Sequence, residues 1–172
     1  MKKEEILSTM LTLIARQGLH ATPMSQLAKE AHVAAGTIYH YFSSKEALIH
    51  ELYLSIYNEF RQVATSDQVD ERNYAIEFSA MCLRLFKYMI QNPEKFYFFQ
   101  QYEHTPIEKE IGAADDHSCI ADRFIHLGLI SNQLKSMPVE LISGLVYNNL
   151  APWRDCNCSK NNFKQRHDPD GD

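Results

Sequence analysis

Apolar residues along most of this chain recur at intervals of three and four, a spacing that admits helices and little else. Ile6, Met10, Leu13 and Ile14 set the pattern, with Leu7 and Leu11 widening the stripe. It returns as Leu48, Leu52, Ile56 and Phe60, flanked by Ile49, Tyr53 and Tyr57, and again as Leu141, Ile142, Leu145, Val146 and Leu150. No hairpin signal or internal repeat interrupts it, and five Val in 172 residues argue against an all-β fold. That length suits one domain, or a small module joined to a larger one, and 45% hydrophobic with 23% charged residues is ordinary for a folded globular chain. No apolar run nears the roughly 18 residues of a membrane span. The Met-Lys-Lys-Glu-Glu start leads into an amphipathic stretch broken by Arg16 and Gln17, which is not a signal peptide. Cys82, Cys119, Cys156 and Cys158 are too unevenly placed for a disulfide scaffold. The expectation is a cytoplasmic, soluble, all-α protein with no membrane partner.

Punctuation divides the first fifty residues into three short helices. Gly18 is placed to end the first. Thr22-Pro23 reads as a hydroxyl cap with Pro at the first helical position, opening a second helix whose small apolar face is Leu27, Ala28 and Ala31. His32 to Ala35 supply a tight turn, and Ile38, Tyr39, Tyr41 and Phe42 lie on a third helix. Ser43 and Glu46 fit a capping box that opens a long fourth helix. Beyond the polar patch 65–73, residues 74–90 are apolar nearly all round, which predicts a central helix covered on several sides. Asn92-Pro93 restarts the chain into a dense aromatic helix with Phe96, Tyr97, Phe98, Phe99 and Tyr102, and Thr105-Pro106-Ile107-Glu108 is another cap. Residues 112–118 read as a loop, 120–134 as a helix that tolerates Gly128 at some cost, and Pro138 opens the last helix. The domain division is 1–46, 47–151 and a tail, 152–172, whose lack of periodicity predicts a flexible segment.

Two short helices joined by a tight turn make a helix-turn-helix pattern, and its side chains suit DNA. Thr22 and the helix start behind it present a hydroxyl and backbone N–H groups to a phosphate. Gly36 lets the backbone approach a phosphate strand, Thr37 and His40 are short and polar enough to reach base edges, and Tyr39, Tyr41 and Lys45 can hold flanking phosphates. The charge of −5 hides an asymmetry: residues 1–50 carry five Lys or Arg and four Glu, a balance of +1, whereas residues 51–172 carry twelve against eighteen, a balance of −6. A compact three-helix bundle without a nucleic-acid role is the plainer alternative.

The stretch Ala21-Thr22-Pro23-Met24-Ser25-Gln26-Leu27-Ala28, then Ala31 to Phe42, then Ser44-Lys45-Glu46-Ala47-Leu48, resembles the tetracycline-repressor-like (TetR) family. That family's signature ends in Gly-x-x-Tyr-x-x-Phe-x-x-Lys, matched here by Gly36, Tyr39, Phe42 and Lys45. The resemblance implies an N-terminal three-helix DNA-binding domain followed by a helical ligand-binding and dimerisation domain. It further implies a transcriptional regulator, usually a repressor, that binds a palindromic double-stranded DNA operator as a homodimer and is released by a small-molecule effector. Under it Thr37 and His40, with Ala34 and Ala35, face bases; Thr22, Tyr39, Tyr41 and Lys45 hold phosphates; Phe42 and Leu48 belong to the core. The Pro138-led helix resembles the start of the family's dimerisation region, with Leu141, Leu145 and Val146 on its apolar face.

An effector site in the body is expected among Phe78, Met81, Cys82, Met89, Phe99, Tyr102 and Phe124, with His104 as its polar handle, although each also suits ordinary core. Cys156-x-Cys158 with His167 matches no zinc spacing, and no phosphate loop, nucleophile elbow or carboxylate pair occurs, so no enzyme, metal or cofactor is expected. A dimerising ligand-binding protein of the same fold with weak operator binding stays open beside the regulator. Family members place two long helices in the dimer interface, and the pattern here stops at Pro152. The expectation is that 152–172 is a divergent or out-of-frame ending that weakens or alters pairing; a variant whose preceding helices suffice is the alternative.

Overall fold

A computed structural model describes residues 2–64, 73–102, 105–107, 122–135, 138, 141 and 142. Among them are seven helices and no strand: α1 (Lys2–Gln17), α2 (Met24–Glu30), α3 (Ala35–Tyr41), α4 (Lys45–Ala64), α5 (Tyr74–Gln91), α6 (Pro93–Tyr102) and α7 (Asp122–Ile130). The all-α expectation is met. The tail 152–172, and with it Cys156, Cys158 and His167, lies outside the described residues, as do His104, Leu145 and Val146.

Helices α1 to α3 form a head around Ile6, Met10, Leu13, Ile14, Leu27 and Ile38, all sealed from solvent. The α1 stripe is the one its spacing predicts. Gly18 ends that helix at φ +88°, a left-handed conformation that glycine adopts without penalty, and its N–H closes on the Ile14 carbonyl at 2.8 Å. Helix α4 carries the row Leu48, Leu52, Ile56 and Phe60 into the core and runs from head to body. Helix α6 packs against both α4 and α1, so the body grips the head directly.

Several local expectations are corrected by tertiary contacts. Pro23 is the N-cap of α2, in extended backbone, rather than its first helical residue. Thr22 does not cap: it is fully buried and its hydroxyl donates to the Gly18 carbonyl at 2.9 Å. The cap of α4 is Ser44, one residue later than the capping box implied, with its Oγ accepting from the Ala47 N–H at 3.1 Å. Helix α5 is covered over only part of its surface. It packs against α4 and α6, sets the buried Tyr74 hydroxyl on the Phe124 carbonyl of α7, and leaves Ile76, Leu83 and Ile90 at 68%, 52% and 51% exposure. Helix α7 stops at Ile130, short of Leu134, because Asn132 turns left-handed at φ 55° and the Gln133 and Leu134 N–H groups fold back onto the Gly128 carbonyl, each at 2.9 Å. Around Pro138, Ile142 is buried and Leu141 is half exposed.

A half-buried polar group staples α4, α5 and α6. Tyr88 Oη and Lys95 Nζ both donate to Glu59 Oε2, and Lys95 Nζ lies 3.2 Å from Tyr88 Oη. Burial works to raise the Glu59 carboxyl, but the Lys95 and Tyr88 hydrogen bonds and the Lys95 charge outweigh it and hold Glu59 below the ordinary carboxylate value. Burial works to lower Lys95, and its two partners instead lift it above the ordinary ammonium value. The depressed Glu59 stabilises the fold above its ordinary unfolded value, and that contribution is lost as pH falls through the folded one. The raised Lys95 contributes fully below its unfolded value and loses that contribution as pH rises through the folded one. Thermal unfolding of wild type and Glu59→Gln between pH 3 and 7 checks the acid side. The wild-type advantage, about 1 kcal/mol or less after solvent screening, should be present at pH 7 and shrink as pH falls below the ordinary carboxylate value.

Candidate nucleic-acid interface

The turn between α2 and α3 is built by backbone hydrogen bonds. The Ala31 N–H bonds the Leu27 carbonyl at 2.8 Å and the Val33 N–H reaches the Ala28 carbonyl at 3.0 Å, with His32 left-handed at φ 52° between them. That conformation is uncommon for a residue with a Cβ, and the two flanking bonds hold it. From the turn, α3 leaves as a helix of seven residues with Ile38 as its buried anchor. Phe42 ends it in extended backbone and enters the core at 4% exposure.

Anchoring one side of so short a helix turns the others outward. Ala34, Ala35, Gly36, Tyr39, His40 and Tyr41 are exposed and Thr37 is half-buried. His40 and Tyr41 meet edge to face with ring centroids 5.4 Å apart, which limits where each can point. Gly36 has a specific character. A Cβ built there meets nothing within 4 Å, so nothing inside the protein requires a glycine at that position.

Two expected phosphate ligands are placed differently. The Thr22 hydroxyl faces inward, as described above, and is withdrawn from the surface. Lys45 is half-buried, and its Nζ donates to the Leu19 carbonyl at 3.3 Å. Sequence reasoning missed the residues that fix the head's geometry. Gln17 Nε2 donates to the Ala21 carbonyl at 2.8 Å and to Gln26 Oε1 at 3.0 Å, tying the end of α1 to α2. Nothing in the local pattern marks these amides, because each partner lies beyond a turn.

The residues expected to line an effector site fall into two packed aromatic groups. Phe78 stacks on Tyr74 at 6.0 Å and meets Phe124 at 6.4 Å, with Met81 sealed and Cys82 and Met89 partly buried. Phe99 and Tyr102 belong to a second group around Tyr53, at 5.1 and 4.0 Å. Four of the five rings in α6 are buried, and the fifth, Tyr97, is half exposed. Burial raises the Cys82 thiol above its ordinary value. Among the described residues no group of His, Cys, Asp and Glu could hold a metal, and no helix is long and apolar enough to cross a membrane.

An anchored, outward-facing α3 set by a tight turn on α2 defines the helix-turn-helix class. The family profile described as bacterial regulatory proteins, tetR family, matches residues 6–52. A tetR family transcription regulator from Shewanella sp. PV-4, known from its crystal structure, is 30% identical with a TM-score of 0.74 over 88% of this chain and 82% of that one. A second, from Haemophilus influenzae, is 27% identical with a TM-score of 0.72 over 87% and 84%. An uncharacterised helix-turn-helix transcriptional regulator of Haemophilus influenzae is 32% identical over 123 residues, 72% of this chain but only 65% of that relative. The chain belongs to the TetR family. Its relatives are named as transcriptional regulators, which are not enzymes.

Proposed function

We propose that the protein is a cytoplasmic transcriptional regulator, a repressor that binds a palindromic operator as a homodimer and leaves it when a small apolar effector enters the body. The observation that carries the reading is Gly36. A glycine in the middle of an exposed helix costs stability, and here open space surrounds it. A surface that must meet another molecule's backbone closely supplies the reason.

In this reading Thr37 and His40 reach base edges, and Ala34 and Ala35 offer apolar contact to thymine methyls. Tyr39, Tyr41 and Lys45 engage phosphates, Lys45 exchanging its bond to Leu19 for one to the duplex. Two such heads must stand about one DNA turn or a multiple of it apart, so an effector that moves them by a few ångströms breaks the second contact. The partly buried Phe78, Cys82 and Met89 support a reading in which the effector enters on the α5 side of the body, and the half-exposed Leu141 suits the pairing face.

Gly36→Ala separates the reading from a plain helical bundle. Thermal unfolding should show a gain of about 0.5–1 kcal/mol, since alanine is the better helix former and meets no neighbour. Affinity for DNA from upstream of the protein's own gene, measured by gel shift, should fall about tenfold or more. Unchanged affinity would remove the close approach at Gly36. Wild-type affinity should also drop steeply as salt rises, as phosphate contacts require.

A further inference from the structure

Ile76, Leu83 and Ile90 follow one another along α5 at intervals of seven, and each is more than half exposed. Seven residues span about 10 Å of helix and drift only about 20° round its axis, so the three share one face. Met81 and Leu85 hold the opposite side in the core, so the row cannot turn inward. Between its members lie Ser79 and Ala80, small enough to let another backbone come near, and the exposed Lys87. A single exposed aliphatic residue needs no explanation; three in register on one helix do.

The charges beside this row indicate what fits it. Glu77 and Lys87 stand ten residues apart, about 15 Å along the helix, too far to pair with each other. Neither makes an ion pair among the described residues. A second α5 laid antiparallel on the first, with Leu83 at the two-fold axis, sets Ile76 against Ile90 of the second copy and Ile90 against its Ile76. In that register Lys87 lies about 6 Å from the axis and Glu77 of the second copy about 9 Å, on the same side, so each Lys87 is within one helical turn of an opposite charge. A parallel two-fold would instead set Lys87 level with its own copy, like charge beside like.

We propose that this face of α5 pairs two copies of the chain, antiparallel about Leu83. The apolar row meets itself end for end, and Lys87 and Glu77 pair twice, once on each side of the axis. The contact is separate from the pairing face ascribed above to Leu141, and it does not depend on the protein binding DNA. Three aliphatic anchors on one helix make a small interface, so half-association falls on the order of 10–100 μM.

Sedimentation equilibrium of the full chain without DNA reads the association, with circular dichroism as the check on folding. Leu83→Glu brings a carboxylate from each copy to the axis and should weaken this step at least about tenfold, whereas Leu141→Glu should leave it in place. Glu77→Lys and Lys87→Glu each set like charges opposite one another, and each should weaken the step about threefold or more. An equal mixture of those two variants should regain it, because each supplies the charge the other lacks, and only a second copy of α5 gives that recovery. An association step abolished by Leu141→Glu, unchanged in Leu83→Glu, or not regained on mixing would overturn the proposal. A loss of thermal stability in Leu83→Glu that is independent of concentration would place a segment of the same chain on the row, and would overturn it too.

Discussion

Tyr102→Ala should lower stability by about 3–5 kcal/mol, read by chemical denaturation, and the thermal midpoint by roughly 10 °C. Tyr102 is fully buried as the last residue of α6. Its ring stacks on Tyr53 at 4.0 Å and lies 6.2 Å from Phe98, and its hydroxyl shares a 2.6 Å hydrogen bond with His50 Nδ1. Truncation therefore opens a cavity where α4 and α6 meet, beneath the head. Tyr102→Phe keeps the ring, loses the bond to His50, and should cost about 1–2 kcal/mol. Equal losses for the two variants would mean that the hydrogen bond, and not the packing, holds this junction.

Gly128→Ala should destabilise by about 1–3 kcal/mol in the same assay, although alanine is favoured over glycine in a helix by about 1 kcal/mol. A Cβ at Gly128 would stand 2.4 Å from Tyr74 Oη, 2.6 Å from its Cζ and 2.7 Å from Leu134 Cδ1. Tyr74 cannot swing aside: it is 5% exposed, stacked on Phe78, and its hydroxyl donates to the Phe124 carbonyl at 3.1 Å. The same substitution is thus expected to stabilise at Gly36 and destabilise at Gly128. A gain at Gly128 would show that α5 and α7 are packed more loosely than these distances allow.

That contrast marks how far local reading reaches. Both glycines sit in helices, and helix propensity assigns both the same cost; only the neighbours brought by the fold separate them. The head was legible because its signals are local. The stripe Ile6, Met10, Leu13 and Ile14, the break at Gly18 and the span from Gly36 to Lys45 are set within a few turns of chain. Helix α5 was misread because apolar content measures how much surface a helix could bury and not how much its neighbours cover. Ile76, Leu83 and Ile90 are as apolar as Met81 and Leu85, yet they stay exposed.

Periodicity and punctuation alone determined that the chain is helical, that it opens with a helix-turn-helix head, and that Gly36, Thr37, Tyr39, His40 and Tyr41 belong to one short helix. Those properties follow from backbone spacing and from hydrogen bonds only a few residues long. Tertiary structure decided which polar groups remain free to act. It turned the Thr22 hydroxyl inward to Gly18, set Lys45 on Leu19, and left one nitrogen of Gln101 buried without an acceptor. The Leu19–Gln101 bond joins residues 82 positions apart, and no local pattern can announce a hydrogen bond whose two halves meet only when α6 packs against α1.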